Sequence, residues 1–170
     1  MIEVATSVDI RGGLVVGHDG SPASAQAARW AARLAVRLGI PLHVVRTWSL
    51  SSAPRPASAT AGYVPPMTDF EKAVHDKLQA DVTALGLAEG CEVHFHVVHG
   101  AAAKKLLQAA AHAELLVVGS RGEGGFRGLR FGSTADQVVR YAPCPVVVVP
   151  VHAADEPTAP DSKLSPDGEG

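Results

Sequence analysis

The sequence has few aromatic residues, few cysteines and no long apolar run. Aromatic residues make up 5% of the 170 residues, so any core must be built from Val, Leu, Ile and Ala. Two cysteines, Cys91 and Cys144, are too few for a disulfide framework, and neither lies in a CxxC motif. The apolar runs are only a few residues long, far shorter than a membrane span. We therefore expect a soluble protein of a reducing compartment that does not insert into a membrane.

Two further features are missing, namely a secretory leader and an excess of basic residues. The opening MIEVATSVDI has neither a basic segment nor a long apolar segment, so we expect a cytoplasmic protein. There are 15 Lys and Arg against 17 Asp and Glu, a net charge of -2, which argues against a dedicated nucleic-acid binder. The hydrophobic fraction of 46% is nevertheless large enough for a folded domain. The length favours a single domain, and no internal repeat is visible.

Changes of composition divide the chain into three parts. Residues 153–170 are rich in proline and acid, with five acidic residues and one lysine, and contain almost nothing to bury. We predict an N-terminal extension over 1–12, one folded domain over 13–152 and a disordered acidic tail over 153–170. The tail has a net charge of -4, which leaves residues 1–152 with 14 basic and 12 acidic residues, so the folded part is slightly basic.

Between the two ends, short Val-rich runs alternate with helical patterns. The predicted strands cover 14–18, 42–48, 91–98, 115–118 and 146–149, and the predicted helices begin at Pro22, at Thr68 or Asp69, at Gly100 and at Thr134. Ser21 is a good N-cap for the first helix and Gly39 a good terminator. Five strands joined by helical crossovers predict an α/β fold with one doubly wound parallel sheet and helices on both faces. The segment from Ser49 to about Met67 is long for a connection and indicates a lid or a disordered insert.

A glycine-rich segment follows the fourth predicted strand. Six of the fifteen residues from Gly119 to Ser133 are glycine and three are arginine. Glycines allow backbone amides to turn toward an anion, and the helix that begins after Gly132 offers a positive dipole end. A flexible surface loop is the alternative, but ligands of such sheets bind at the carboxyl ends of the strands, which favours an anion site.

Two familiar phosphate motifs do not fit this segment. A P-loop requires GxxxxGK[ST], and no lysine lies between Lys105 and Lys163. A dinucleotide fingerprint GxGxxG that began at Gly122 would need glycine where Arg127 stands, and it would follow the first strand. The pattern therefore supports neither P-loop nor NAD-type binding.

The spacing Gly119-x2-Gly122-x9-Gly132-Ser133 resembles the ATP-binding signature of the universal stress protein (UspA-like) family. The segment VVGHDGS at 15–21 is similar to the family's opening strand and turn, and APCPVVVV at 142–149 to its closing strand. The resemblance covers 14–151, about four-fifths of the chain. It implies five parallel strands in the order 3-2-1-4-5 with two helices on each face.

The resemblance to the ATP-binding branch also implies a site. It implies adenine against the second strand near Val45, with the aspartate of the first turn, Asp19, close by, and phosphates on the glycine-rich loop. The candidate nucleotide-binding residues are Gly17, Asp19, Val45, Gly119, Ser120, Arg121, Gly122, Gly124, Gly125, Gly132, Ser133 and Thr134. The implied cofactor is ATP, accompanied by a divalent cation such as Mg²⁺ or Mn²⁺. Arg127 and Arg130 are assigned to the phosphates on charge alone.

We interpret the chain as a nucleotide-dependent sensor or regulator of a stress response that forms a homodimer through its fifth strand. One alternative is a stress protein that binds no nucleotide and works through protein partners. Another is an enzyme related to nucleotidyl transferases, although no paired carboxylates, HxGH-type motif or activated nucleophile lies near the loop. We therefore expect no enzyme, apart from slow ATP hydrolysis.

Three histidines, His94, His96 and His99, form an HxHxxH string that suggests a metal site. On a strand, His94 and His96 share one face and His99 lies on the other. A solvated pair of histidines on an edge strand is the preferred interpretation, so no metal ligand is predicted.

Overall fold

Five Val-rich segments of the chain form the strands of one parallel sheet. The computed structural model describes residues 3–121 and 131–151. The strands are β1 (Leu14–Gly17), β2 (Leu42–Trp48), β3 (Val93–His99), β4 (Leu115–Gly119) and β5 (Val146–Val149), and the helices are α1 (Pro22–Leu38), α2 (Met67–Ala84), α3 (Ala102–Ala109) and α4 (Ser133–Tyr141). The strand order is β3-β2-β1-β4-β5, and every neighbouring pair is parallel. This confirms the predicted fold class and strand order.

Local signals in the sequence set the two ends of α1. The Ser21 hydroxyl accepts a hydrogen bond from the Ser24 amide, and Pro22 occupies the first turn, where its missing N–H costs nothing. Gly39 ends the helix in the left-handed conformation, with φ of 67°. Both ends lie where the sequence predicts them.

The two faces of the sheet carry separate apolar cores. Side chains of Leu14, Val16 and Val44 pack against α1 and α2, whereas Val15 and Val45 pack against α3 and α4. The strands are thus apolar on both faces, as buried parallel strands are. Because the buried face of α1 is built mainly of alanine, its backbone can lie close to β4.

Several predicted boundaries were wrong by one or two residues, among them the start of α3, which lies at Ala102 and not at Gly100. Helix α2 begins at Met67 after Pro66, without a side-chain cap, so Thr68 and Asp69 lie inside its first turn. Strand β3 begins at Val93 rather than at Cys91. The amide of Leu42, the first residue of β2, donates to the carbonyl of Glu92, and regular pairing starts there.

The segment between β2 and α2 is a series of turns, which corrects the expectation of a disordered insert. Pro56 and Pro65 are buried, and the Arg55 guanidinium donates to the carbonyl of Ala59. Ser58 hydrogen-bonds the Asp69 carboxylate in the first turn of α2. The Arg55 bond lies within the segment, and the Ser58 bond ties the segment to α2.

Residues 3–12 pack along one side of the domain. The amide of His99 at the end of β3 donates to the carbonyl of Ala5 at 2.8 Å, and Lys105 donates to the carbonyl of Thr6. Ile10 is buried against α3. Among the described residues, no helix is both long and apolar enough to cross a membrane. The acidic tail predicted over 153–170 lies outside the described residues.

Candidate functional site

A crevice opens where the order of the strands reverses. Strands β1 and β4 are neighbours in the centre of the sheet, with Val16 opposite Val117. The chain leaves β1 toward β2 and leaves β4 toward β5, so the two connections diverge. Gly17 and Gly119 end these strands at the same edge of the sheet. Parallel sheets of this kind bind ligands at this point.

The turn after β1 is held by hydrogen bonds of its own side chains. The Asp19 carboxylate accepts a hydrogen bond from the Ser21 amide at 2.9 Å, and the Ser24 hydroxyl donates to the carbonyl of Ser21. The Asp19 amide also lies 3.4 Å from the Ser24 hydroxyl. These bonds fix Asp19 at the entrance of the crevice and start α1 directly beside it.

The end of β4 is in close contact with the first turn of α1. A β-carbon on Gly119 would lie 2.7 Å from the carbonyl carbon of Ala23 and 2.8 Å from its β-carbon, so only glycine fits. The buried Ser120 continues the sheet by donating its amide to the carbonyl of Val149. Its own carbonyl accepts from the Gly132 amide at 2.8 Å. This bond joins the two ends of the glycine-rich segment.

Helix α4 starts at this junction with its first amides available. Gly132 is the N-cap, and because glycine has no side chain no side-chain cap bond forms. Ser133 and Thr134 form the first turn, and the first bond of the helix runs from the Asp136 amide to the carbonyl of Gly132. Uncapped amides at a helix start favour an anion. The predicted positions 119, 120, 132, 133 and 134 therefore come together.

Three predicted phosphate contacts, Gly122, Gly124 and Gly125, lie outside the described residues, as do Arg127 and Arg130. Arg121 is exposed at the start of this segment. The described residues thus give the two ends of the glycine-rich loop.

Val45 and Gly17 occupy the side of the crevice that faces α3. A β-carbon on Gly17 would meet the Leu106 side chain at 3.0 Å. Val45 is buried three residues before the end of β2, and its carbonyl accepts the last bond from the β1 side, donated by the His18 amide. Thr47 lies two residues after Val45, so its amide and carbonyl face the same neighbour as those of Val45, and strand β1 ends at Gly17, the partner of Val45. Sequence reasoning missed Thr47, because the end of pairing with β1 carries no sequence signal.

A polar cluster lies on the opposite face of the same strand ends. Side-chain atoms of His18, Arg46 and Trp48 are buried, and among the described residues no hydrogen-bond partner exists for His18 Nδ1, Arg46 Nη1 or Trp48 Nε1. Burial lowers the pKa of His18 below its ordinary value. The Asp19 and Asp81 carboxylates oppose this shift, and the charges of Arg46 and Lys77 add to it. His18 is therefore neutral at neutral pH.

Because folding lowers the pKa of His18, the unfolded chain binds a proton more readily than the folded protein. We expect the free energy of unfolding to fall as the pH drops below about 6.5, by at most about 1.4 kcal/mol per pH unit from this group. Denaturant titrations between pH 7 and pH 5 measure the slope. His18→Gln should reduce this slope without abolishing it, because burial also lowers the pKa of His43 and of His96. Replacement of the exposed His112 by Gln should leave the slope unchanged. An unchanged slope in His18→Gln contradicts the assignment.

The histidines of the HxHxxH string lie on the faces of β3 that the alternation predicts, and a further histidine from β2 contacts two of them. His94 and His96 share a face, and His99 lies on the other, where its ring meets the Trp48 ring edge-on at 4.8 Å. This further histidine is His43 of β2, whose Nδ1 lies 2.9 Å from His96 Nε2 and whose ring stacks on that of His94 at 5.0 Å. As the described side chains lie, no three His, Cys, Asp or Glu residues converge in a way that would hold a metal ion.

The fold and this crevice define the class of protein, a doubly wound parallel α/β domain with a crevice at the reversal of its strand order. The sequence profile described as the universal stress protein family matches residues 13–150. The chain belongs to the universal stress protein family.

Curated relatives of the chain come from mycobacteria. A universal stress protein of Mycobacterium tuberculosis is 35% identical over 143 residues, which cover 81% of this chain and 47% of the relative. One of Mycolicibacterium smegmatis is 34% identical over 170 residues, which cover 96% of this chain and 54% of the relative. The chain therefore spans about half the length of these relatives.

Solved structures share the fold at lower identity. UspA from Lactobacillus plantarum superposes with a TM-score of 0.61 at 20% identity, covering 84% of this chain and 99% of that one. A universal stress protein in complex with cAMP gives a TM-score of 0.56 at 24% identity, covering 84% and 98%. One from Archaeoglobus fulgidus in complex with dAMP gives 0.54 at 21% identity, covering 82% and 98%.

Proposed function

We propose that this chain binds ATP in the crevice between β1 and β4 and acts as a nucleotide-dependent regulator of a stress response in the cytoplasm. The observation that carries the proposal is the junction of Gly132 with Ser120, which brings an uncapped helix start to the strand ends. Two universal stress proteins of the same fold were crystallised with adenine nucleotides, cAMP and dAMP. The proposal extends to this chain what those proteins bind.

The phosphates belong on the glycine-rich side of the crevice. The amides at the start of α4, from Ser133 and Thr134, would donate to phosphate oxygens, and their hydroxyl groups can do the same. Gly122, Gly124 and Gly125 are proposed to complete this cradle, and Arg121, Arg127 and Arg130 to supply positive charge. A divalent cation such as Mg²⁺ or Mn²⁺ would accompany the phosphates, because Mg²⁺ is commonly held through the phosphates of its ligand.

The adenine and the ribose belong on the side of β1 and β2. Asp19 lies at the mouth of the crevice and would approach the ribose or the cation. The carbonyl of Val45, the predicted adenine contact, already accepts a hydrogen bond from the His18 amide. We therefore propose that adenine contacts β2 at Thr47, two residues further along the strand. The amide and carbonyl of Thr47 would offer a donor and an acceptor to the base edge.

The geometry supports regulation rather than catalysis. The crevice brings together glycines, hydroxyl groups and amides, and Asp19 is its one carboxylate among the described residues predicted to contact nucleotide. We propose that any ATP hydrolysis is slow and that nucleic acid is not a partner. A member of the family that binds no nucleotide and acts through protein partners is the competing function.

Mass spectrometry of the nucleotide released by heat from gently purified protein tests the proposal. We expect an adenine nucleotide in the released fraction, and calorimetry on stripped protein should then give binding of ATP. Protein that carries no nucleotide and takes up neither ATP nor AMP would falsify the proposal and favour the competing function.

We also propose a homodimer that pairs through β5. In the part of the chain that the structure describes, this strand lies at the edge of the sheet and pairs with β4 alone. Its run of four valines carries no charge that would block pairing. The other edge strand, β3, already bonds Ala5 of the same chain at His99. Light scattering at tens of micromolar protein should give twice the chain mass of 17.6 kDa. A monomeric mass contradicts the proposed dimer.

A further inference from the structure

Helix α1 carries a row of three arginines on its outer face. Arg29, Arg33 and Arg37 are spaced four residues apart, so their side chains are neighbours along the helix. All three are exposed, whereas the alanines of the opposite face are buried against the sheet. At a rise of about 1.5 Å per residue, the row is about 12 Å long. These three residues are called the arginine row.

The positive charge of the arginine row is not balanced by its surroundings. Helix α1 contains no acidic residue, and none of the three arginines forms an ion pair within the described part of the chain. On other helices, Lys77 pairs with Asp81 and Arg140 pairs with Asp136, each at a distance of four residues. Like charges at the same spacing repel, so the row destabilises α1 unless an anion approaches it.

We propose that the arginine row binds the acidic segment of the same chain, residues 153–170. This segment contains five acidic residues and one lysine, a net charge of -4. Leu164 is its one large apolar residue, so charge and not apolar packing would hold the contact. Carboxylates and guanidinium groups form charge-assisted hydrogen bonds that are frequently bidentate.

The acidic segment follows β5, whose end lies beside the start of α1. Val149, the last residue of β5, pairs in register with Gly119, and Gly119 lies against Ala23 in the first turn of α1. Helix α1 also contacts β5 itself. The helix runs back over the sheet from this edge, so a segment that follows its outer face passes the arginine row.

The acidic segment is long enough to reach the whole row. Helix α1 has 17 residues and is about 25 Å long. The 18 residues of 153–170 span at most about 60 Å when extended. Its acidic residues are spread from Asp155 to Glu169, so they can meet the three arginines in more than one alignment. The contact therefore requires no single fixed arrangement of the segment.

Nuclear magnetic resonance of the full chain, stripped of nucleotide, tests the contact. The backbone amide shifts of residues 153–170 are compared between the wild type and Arg29→Gln/Arg33→Gln/Arg37→Gln. We expect the two proteins to differ at about 0.01 M salt, where the Debye length is about 30 Å, and to agree at about 1 M, where it is about 3 Å. Exchange of the same three arginines for lysine keeps the charge and should retain most of the wild-type shifts.

The matched control removes three arginines from the glycine-rich segment, at the same edge of the sheet. Arg121→Gln/Arg127→Gln/Arg130→Gln changes the net charge by the same amount and should leave the amide shifts of residues 153–170 as they are in the wild type. If this control loses the wild-type shifts and the α1 variant keeps them, the acidic segment binds the glycine-rich segment and the proposal is overturned.

Three further outcomes decide the proposal. Equal low-salt shifts in the wild type and in the α1 glutamine variant overturn it. Shifts that disappear on dilution of the protein assign the arginine row to the acidic segment of a second copy, which overturns a contact within one chain. If the glutamine variant does not fold, Asp155→Asn/Glu156→Gln decides, because it leaves α1 unchanged. It should then move the Nε–H signals of the arginine row at low salt, and unmoved signals overturn the proposal.

Discussion

Replacement of Gly119 by alanine is expected to lower the free energy of unfolding by about 2–3 kcal/mol, as overpacking of a close contact does. The added β-carbon would lie 2.7 Å from a backbone carbon of Ala23 and 2.8 Å from its carbonyl oxygen. Backbone atoms in the first turn of α1 cannot move aside as a side chain can, because Ser21 and Ser24 fix this turn. Either the helix moves away from β4 or the strand end bends.

The matched control is Gly17→Ala, at the end of the neighbouring strand β1. There the new β-carbon would meet the Leu106 side chain at 3.0 Å, and that side chain can change its rotamer. Neither glycine has a positive φ, so the comparison isolates steric contact from backbone strain. In thermal unfolding without nucleotide, the melting temperature of Gly119→Ala should be about 5–10 °C below that of Gly17→Ala. Equal melting temperatures for the two variants would mean that β4 and α1 are not in close contact.

Signals within a few residues predicted most of the elements. Ser21 and Pro22 start α1 and Gly39 ends it, and each of these acts through its own backbone geometry. The start of α2 was missed because Pro66 occupies the N-cap without a side-chain bond, while Thr68 and Asp69 have the composition of caps. Strand order is a different matter, because no local pattern says which strand pairs with which. It came from resemblance to a family.

In the candidate site, too, some features follow from local sequence and others from the packing of distant elements. The glycine-rich segment and its position after a strand predicted that Gly119, Ser120 and Gly132 belong together, and the structure joins them. The contact of Gly119 with Ala23 and the open backbone of Thr47 depend on how α1 and β1 end against other elements. The pairing of His43 with His94 depends on the register of β2 against β3, which is set by packing and not by either segment alone.

Replacement of Gly132 by alanine separates nucleotide binding from folding. Gly132 has φ of -66° and ψ of 165°, a conformation open to any residue, so alanine causes no backbone strain. Glycine and alanine differ as N-caps by about 1 kcal/mol at most, so the protein without nucleotide should remain folded. If the phosphates lie on the first amides of α4, the β-carbon at 132 would crowd them. We expect ATP affinity to fall at least tenfold, about 1.4 kcal/mol.

Calorimetry on nucleotide-stripped protein measures this loss of affinity. At Gly132 the loss can be assigned to the nucleotide site, because this substitution leaves the fold intact. A loss of ATP binding in Gly119→Ala would not separate the site from the fold, because that variant disturbs α1 as well. Gly122→Ala should behave as Gly132→Ala does, since both belong to the glycine signature. Gly128→Ala lies in the spacer between them and should matter less. If Gly132→Ala and Gly122→Ala bind ATP as tightly as Gly128→Ala and the wild type, the phosphates do not lie on this loop, and an adenine nucleotide found in the protein must be bound elsewhere.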